Sequence, residues 1–387
     1  MNCYIHVPFC VKKCAYCAFY SVPVTSEAEE RYLDVLEREI ASIPGAVAPR
    51  SVYIGGGTPS CLGYPNFSRL LEIARTLDFR RVEEFNMEVN PGTLDEARVK
   101  AMVRAGVNRV SVGVQSLDDN MLRFLGRIHS KRDVYRTVDL LRKHGLCNIN
   151  LDLIFAVPGQ TLEDVRRDVE ELLSLGTPHL SCYEMTYEEG TPLTRWVKER
   201  SIPPNEALSC DMYDLILERL EAADVRAYEV SNFAKPGFEC QHNIGYWRGT
   251  DYYGAGPAAC SLIHGVRYAN PRSLKTYCGG DYTAALLREA DDSATGHPGV
   301  EIDRISPRAR AGEIAAVGLR MVRGWDFAEY YRTTGFRMEL EWRREMARIC
   351  QWGYGEYIGT PVSGFRLNRR GLRFADLAAE QFIVTTE

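Results

Sequence analysis

The stretch Tyr4-Ile-His-Val-Pro-Phe-Cys10-Val-Lys-Lys-Cys14-Ala-Tyr-Cys17 joins a short apolar run to three cysteines spaced C-x3-C-x2-C. The run at residues 4–7 predicts a β-strand, so the cysteines follow directly after a strand end. A loop at that place allows three thiolates to converge, and thiolates are the usual protein ligands of iron–sulfur clusters. Three ligands for four irons leave one iron of a [4Fe–4S] cluster open to a small chelating molecule.

Zinc is the alternative occupant of this site. A structural zinc ion usually takes four protein ligands, often from two C-x2-C pairs. The sequence has no second pair, and it does not fix the direction of His6 in the preceding strand. We therefore expect a cluster at Cys10, Cys14 and Cys17. The other nine of the 12 cysteines are scattered, which indicates small buried side chains rather than disulfides.

Composition limits the class of protein. The chain has 387 residues, of which 45% are hydrophobic and 26% charged, as in a globular protein with one large and one smaller domain. A net charge of −5 predicts no general attraction to nucleic acid. No apolar run of about 18 residues predicts a membrane span, and the N-terminus does not resemble a signal peptide. We expect a cytoplasmic protein, and transient contact with a membrane surface stays open.

Short apolar runs alternate with amphipathic stretches through the first half of the chain. Strands are predicted at residues 4–7, 52–54, 85–89, 110–114, 149–155 and 180–185, and helices at 29–40, 67–77, 94–105, 133–144 and 162–175. This alternation predicts right-handed crossovers and a parallel sheet. Six units are visible where a closed barrel needs eight, so the predicted fold is α/β, an incomplete (β/α)6-type parallel barrel.

The alternation weakens beyond the barrel, and three segments are predicted. Residues 1–230 form the partial barrel, including a helix at 205–223. Residues 231–305 are rich in Gly and Tyr, which favours loops and short strands near a ligand. Residues 306–387 form a smaller α+β C-terminal domain. Its predicted elements are helices at 309–321 and 325–352, a strand at 365–367 and a helix at 374–382.

Beyond the cysteines, an ordered set of motifs carries a family resemblance. The cysteine spacing resembles the radical S-adenosylmethionine family, and the whole set resembles its oxygen-independent coproporphyrinogen III oxidase branch. The motifs are Tyr4-Ile-His-Val-Pro-Phe-Cys10, Gly55-Gly-Gly-Thr-Pro-Ser60, Glu88-Val-Asn-Pro91, Ser111-Val-Gly-Val-Gln-Ser116, Leu125-Gly-Arg-Ile-His129 and Asn150-Leu-Asp-Leu-Ile154.

The resemblance implies that S-adenosylmethionine (SAM) chelates the open iron, and it implies roles for particular residues. Tyr16 would contact the adenine, the backbone of Gly56, Gly57 and Thr58 would approach the methionine part, and Glu88 would accept hydrogen bonds from the ribose or amino group. Further cofactor contacts are implied for Tyr4, Gln115, Arg127 and Asp152.

From the residues alone, each of these positions has a second explanation. The glycines at 55–57 are equally typical of a tight turn between strand and helix, and no P-loop Lys-Ser/Thr follows them. Glu88 and Asp152 at predicted strand ends are equally typical of helix caps or ion-pair partners. Gln115 and Arg127 alone carry no signal.

Two features separate the chain from the oxidases. They carry a further cysteine where this chain has Phe19, and an N-terminal extension that we do not expect here. The motif His242-Asn-Ile-Gly-Tyr-Trp247 resembles the His-Asn-x-x-Tyr-Trp motif of the oxidase-like heme chaperones. That resemblance implies that His242, Tyr246 and Trp247 bind heme, since imidazole is a common axial ligand. A buried histidine beside two core aromatics is the alternative.

The resemblance implies a heme chaperone that carries a SAM-bound [4Fe–4S] cluster, delivers heme to an acceptor protein and lacks coproporphyrinogen III oxidase activity. The alternatives are a radical SAM enzyme that acts on a porphyrin and a protein with a purely structural cluster. One departure from the chaperone pattern is Cys260, where relatives usually have histidine.

Overall fold

One large sheet organises the fold in the computed structural model, which describes residues 1–43, 48–280 and 300–384. Twelve strands of the described chain form it, in the order β14-β13-β12-β11-β1-β4-β5-β6-β7-β8-β10-β9. Their bounds are Asn2–Val7 (β1), Ser51–Gly56 (β4), Glu84–Val89 (β5), Arg109–Gln115 (β6), Ile149–Phe155 (β7), His179–Glu184 (β8), Arg226–Ala227 (β9), Asn232–Ala234 (β10), Tyr252–Ala255 (β11), Cys260–Ile263 (β12), Val266–Ala269 (β13) and Glu301–Arg304 (β14). Two short strands outside it, Phe9–Cys10 (β2) and Val22–Pro23 (β3), pair in parallel.

The six predicted strands correspond to β1 and β4 to β8, with ends that differ by at most two residues. They pair in parallel in chain order. Burial on both faces explains their near-continuous apolar runs. In β6 every residue except Gln115 is buried, and in β7 every residue except Asp152. These two exceptions face a cavity inside the curved sheet.

Helices between residues 26 and 222 cover the outer face of this sheet, and six of them agree with the predicted helices to within three residues. Local caps fix where they begin, as where Thr161 and Asp164 form a capping box at the start of α6. The helices of residues 1–280 are Ser26–Ala41 (α1), Tyr64–Arg75 (α2), Glu96–Ala105 (α3), Asp119–Phe124 (α4), Lys131–Lys143 (α5), Leu162–Ser174 (α6), Pro192–Glu199 (α7), Glu206–Ala222 (α8), Gln241–Trp247 (α9) and Leu274–Gly279 (α10).

A seventh parallel strand, β11, was not predicted. It pairs with β1 on the side away from β4, with Asn2 opposite Tyr252. Antiparallel strands β12, β13 and β14 extend the sheet from there, and β10 and β9 close the other edge in antiparallel fashion. The two edges are not paired with each other among the described strands. The prediction of an incomplete parallel barrel is therefore confirmed.

A second, separate hydrophobic core lies in the C-terminal part. Trp325, Tyr330 and Trp342 form its centre, with ring centroids 5.3 and 5.9 Å apart in edge-to-face contacts. A three-stranded sheet joins it, made of Trp325–Asp326 (β15), Gly355–Ile358 (β16) and Gly364–Leu367 (β17). Its helices are Pro307–Gly318 (α11), Phe327–Thr334 (α12), Met338–Glu341 (α13), Arg343–Gln351 (α14), Arg369–Leu372 (α15) and Ala375–Glu380 (α16).

The prediction of one helix over residues 325–352 is wrong. That segment starts with β15 and then divides into α12, α13 and α14. Gly335 ends α12 in the left-handed conformation, with φ of 77°, which is a common way for a helix to stop. Of the helices in the described ranges, none combines the length and apolar composition that crossing a bilayer requires.

Candidate functional site

The three cysteines lie together at the carboxyl end of β1. Cys10 belongs to β2, and Cys14 and Cys17 follow in the next loop, where the Cys17 amide donates to the Cys14 carbonyl oxygen at 3.3 Å. Backbone hydrogen bonds of Ala15 with Leu125 and Leu193 hold this loop against the rest of the barrel. All three thiols are free and partly buried, and they line one cavity of about 490 Å³.

The residues around these thiols bear on the zinc alternative. Within the described parts of the chain, no three His, Cys, Asp or Glu side chains come close enough to hold a single metal ion. A cubane accepts ligands that are farther apart, because each binds a different iron. Three free thiols on one cavity wall match the predicted cluster.

Arg127 connects the cysteine loop to the wall of the barrel. Its Nη1 donates to Cys14 Sγ at 3.4 Å, and its Nη2 donates to Asn90 Oδ1 at 2.5 Å and to the Gly113 carbonyl oxygen at 2.6 Å. The guanidinium therefore links the Cys14 thiol to two groups of the barrel wall. Arg127 thus contacts one of the three predicted cluster ligands directly.

The glycine turn after β4 packs against the backbone of the cysteine strand. Gly56 has a φ of 110°, which disfavours any other residue. A Cβ on Gly57 would lie 2.5 Å from the Phe9 carbonyl oxygen, and the Thr58 amide donates to that same oxygen at 2.7 Å. The close packing of the turn against the Phe9 backbone therefore requires glycine at position 57, whether or not a cofactor binds. All three predicted residues of the turn line the cavity, and their contact with SAM stays a prediction.

Two partly buried carboxylates lie on the same cavity. Glu88 accepts from the Tyr53 hydroxyl at 2.8 Å and from the Gly56 amide at 3.1 Å. Burial, with a smaller contribution from the Asp152 carboxylate, raises the pKa of Glu88 to about 7. Burial likewise raises the pKa of Asp152 to about 6, although Asn150 donates to it at 2.7 Å. A cationic ligand between them would stabilise their charged forms.

The structure brings together eight of the nine residues implied as SAM contacts. The eight that line the cavity are Tyr16, Gly56, Gly57, Thr58, Glu88, Gln115, Arg127 and Asp152. Tyr4 is not on the cavity wall, and its hydroxyl bonds the Nδ1 of His6 at 3.1 Å. His6 in turn bonds the Tyr20 carbonyl oxygen at 3.0 Å, so Tyr4 supports the end of the cysteine loop from behind.

Sequence reasoning missed several polar residues of this cavity. Asn90 links two predicted residues, because its amide also donates to Thr58 Oγ1 at 2.7 Å. Ser111 and Asn150 both contact Asp152, and Tyr183 lies at the end of the neighbouring strand β8. Asn90, Ser111 and Asn150 occur in the motifs quoted above, so those motifs could have indicated that these three residues belong to the site. Nothing in the sequence singled out Tyr183.

The motif at residues 242–247 lies at the opposite end of the barrel. It forms the short helix α9, which begins where the Glu84 carboxylate accepts from the amides of Gln241 and His242 at 2.9 and 3.1 Å. Asn2 donates to the His242 carbonyl oxygen at 2.9 Å. Glu84 and Asn2 start strands β5 and β1. The six residues of β1 separate this helix from the cysteines by roughly 20 Å.

His242 is enclosed. It is 2% exposed, its Nδ1 bonds Ser51 Oγ at 2.8 Å, and burial lowers its pKa to about 3. The rings of Tyr53 and Tyr246 lie 4.9 and 5.0 Å from it, centroid to centroid. Its Nε2 is buried without a hydrogen-bond partner in the described structure. The Arg320 guanidinium lies over the Trp247 ring, 4.9 Å from its centroid. In this conformation the motif closes the floor of the barrel, and its heme contacts stay a prediction.

Comparisons with known proteins agree with this architecture. Residues 4–172 match the Radical SAM superfamily. The heme chaperone HemW of Lactococcus lactis is 41% identical over 290 residues, which cover 74% of this chain and 76% of that protein. The chain belongs to the HemW family. HemW proteins of Bacillus subtilis and Escherichia coli are 36% and 38% identical, each over 71% of this chain and 74% and 73% of their own lengths.

A solved structure of another protein resembles the fold of this HemW family member. Coproporphyrinogen III oxidase (HemN) of Escherichia coli superposes with a TM-score of 0.80 at 20% identity, covering 99% of this chain and 89% of that one. At this identity the likeness concerns the fold alone. Because this chain matches the Radical SAM superfamily, its cofactors are a [4Fe–4S] cluster and SAM. The three thiols and the cavity that they line fit both cofactors.

Proposed function

We propose that this chain is a heme chaperone, which binds heme and passes it to an acceptor protein. The observation that carries this proposal is the 41% identity to a protein named heme chaperone, over three quarters of both chains. A HemN-like fold supports it, since that fold serves a porphyrin enzyme. The acceptor, the cytoplasmic location and contact with a membrane surface stay predictions.

The cluster and SAM accompany this function. Cys10, Cys14 and Cys17 would each bind one iron, and SAM would chelate the fourth through its amino and carboxylate groups. The carboxylates of Glu88 and Asp152 lie where they would attract the positive charges of SAM. A bound cluster supplies an electron to the sulfonium in proteins of this superfamily. The residues that line the cavity would position SAM there.

The second candidate is a radical SAM enzyme that acts on a porphyrin. The observation that favours it is the intact cavity wall, which keeps Glu88, Gln115, Arg127 and Asp152 beside the cysteines. A carrier that only stores heme has less need of such a wall. Against the oxidase itself stands Phe19, which occupies the place of the oxidases' further cysteine and is 69% exposed.

One preparation separates the two candidates. Protein reconstituted with iron and sulfide without oxygen is titrated with hemin, and heme transfer to an apo-cytochrome is followed by absorbance. The same protein receives coproporphyrinogen III, SAM and a reductant, and 5′-deoxyadenosine and protoporphyrinogen IX are measured. We expect stoichiometric heme binding and no protoporphyrinogen IX. Efficient conversion of the porphyrinogen without heme transfer would reverse the assignment.

A further inference from the structure

A continuous chain of hydrogen bonds joins the cofactor cavity to the floor of the barrel. At the cavity, the Asn150 side-chain amide donates to Asp152 Oδ1 at 2.7 Å. The Nδ1 of His179 bonds Asn150 Oδ1 at 2.6 Å, and its Nε2 bonds the Tyr228 hydroxyl at 3.0 Å. At the floor, the backbone amide of Cys240, the residue before α9, donates to the Tyr228 oxygen at 3.2 Å. We call the side chains of Asn150, His179 and Tyr228 the relay.

The chemistry of the relay gives every hydrogen bond in it the same direction. Because Asn150 Oδ1 can only accept, the Nδ1 of His179 carries the proton. The imidazole is 1% exposed, and burial lowers the pKa of His179 well below its usual value, so the ring is neutral. Its Nε2 therefore accepts from the Tyr228 hydroxyl, whose oxygen accepts from Cys240. Each donor thus points from the floor toward the Asp152 carboxylate.

A hydrogen-bond chain with this direction responds to the charge at its end. Hydrogen bonds that follow one another polarise each other, and a carboxylate is a stronger final acceptor than a neutral group. A cation bound beside Asp152 would hold that carboxylate charged and in one place. The hydrogen bond from Cys240 to Tyr228 would then also be strengthened, since no side chain of the relay can turn away without breaking two bonds.

We infer that His179 and Tyr228 are positioning residues that couple a ligand at Asp152 to the first turn of α9. This inference rests on the proposed function, in which SAM binds beside Asp152. Helix α9 carries the motif at residues 242–247, so the state of the cofactor site reaches that motif through the relay. Such coupling is reciprocal. A change at Tyr228 therefore alters SAM affinity, although Tyr228 lies outside the cavity wall.

Tyr228→Phe tests the inference, because it removes one oxygen from the middle of the chain of hydrogen bonds. The reconstituted full-length variant is expected to bind SAM about fivefold more weakly in equilibrium dialysis. The matched control is Tyr213→Phe, which removes a hydroxyl that donates to the Val230 carbonyl oxygen at 2.9 Å, outside both the relay and the cavity wall. The control is expected to stay within twofold of the unchanged protein. Iron and sulfide content and melting temperature show whether each variant keeps its cluster and fold.

Two further measurements distinguish coupling from a local loss of packing. In the Asp152→Asn background, Tyr228→Phe is expected to change SAM affinity less than twofold, because the charge at the end of the relay is gone. Hydrogen exchange followed by mass spectrometry examines the floor directly. SAM is expected to slow exchange of the peptide that contains Cys240 about fivefold in the unchanged protein, and to have no such effect in Tyr228→Phe.

The outcomes separate this inference from the proposed function. Equal SAM affinity in Tyr228→Phe and Tyr213→Phe would overturn the inference, as would a fivefold loss that persists in the Asp152→Asn background. If the unchanged protein binds SAM without slower exchange at Cys240, the inference fails and the proposed cofactor site stands. If the unchanged protein binds no SAM, the proposed cofactor site fails and the inference fails with it.

Discussion

Arg127 and Cys14 are joined by a hydrogen bond of 3.4 Å between residues that lie 113 positions apart in the chain. Through this bond, the segment after α4 supports a thiol of the cysteine loop. The same guanidinium is held by Asn90 and by the Gly113 carbonyl oxygen, so its direction is fixed from the barrel side. The cluster loop and the cofactor wall therefore form one connected unit.

Replacement of Arg127 by Gln is expected to lower cluster occupancy to less than half. The substitution removes the guanidinium that donates to the Cys14 thiol, and it leaves Asn90 without its charged donor. Iron and sulfide per chain after reconstitution without oxygen measure the effect. Arg123→Gln, an exposed change on α4, is the matched control and is expected to load fully.

SAM binding is expected to weaken below neutral pH. The pKa of Glu88 is raised to about 7, so this group loses its negative charge as the pH falls through 7. The cation of SAM is attracted by the charged carboxylate, and affinity at pH 6 should be about tenfold lower than at pH 8. Equilibrium dialysis of the reconstituted protein measures this profile.

Glu88→Gln is the control for that profile. It is expected to bind SAM more weakly at pH 8 and to show a much flatter pH dependence, because the group that titrates near 7 is gone. Asp152, with a pKa of about 6, would still contribute below pH 6. An unchanged slope in Glu88→Gln would show that another group carries the dependence.

Gly57→Ala is expected to distort the cysteine loop. The new Cβ would lie 2.5 Å from the Phe9 carbonyl oxygen, closer than real contacts allow, so β2 must move. Cys10 is in β2, and cluster loading should therefore fall together with thermal stability. Gly279→Ala is the matched control, since a Cβ there meets no atom within 4 Å. Equal cluster content in the two variants would refute this account.

Gly245→Ala is expected to loosen the floor of the barrel. A Cβ at this position would lie 2.2 Å from Asn2 Nδ2, which donates to the His242 carbonyl oxygen. Overpacking of this kind costs about 1 to 3 kcal/mol in free energy of unfolding. Urea denaturation measures the loss, and hydrogen exchange of β1 and β4 should increase. A free energy of unfolding equal to that of the unchanged protein would contradict the close packing.

The parallel strands were predictable because burial on both faces leaves them nearly continuous apolar runs, as in β7. The short strand β11 escaped prediction, since Tyr252-Tyr-Gly-Ala255 shows neither such a run nor clear alternation. The helix predicted over 325–352 was too long because Gly335 ends α12 inside that segment. The periodicity of apolar residues alone predicts one continuous helix wherever the apolar face continues.

Some site residues could likewise be predicted from the sequence, and others could not. Glu88 and Arg127 were found through the family resemblance, since the residues alone left Glu88 with a second explanation and singled out nothing at Arg127. The burial of His242 depends on Ser51, 191 residues earlier, and on the side of the sheet that α9 occupies. No local pattern records such a contact. The same holds for Tyr4, whose position behind His6 follows from the path of the loop.

Strand β1 carries the cysteine loop and has a parallel neighbour on each side, β4 and β11. The backbone of β1 is thus hydrogen-bonded on both sides. The cysteine loop can therefore rearrange while the strand before it stays in place. Exposure to air that destroys the cluster should leave a folded apoprotein with the thiols still gathered at one place. Recovery of the cluster after oxidative damage would then require only reduced thiols, iron and sulfide, without refolding of the chain.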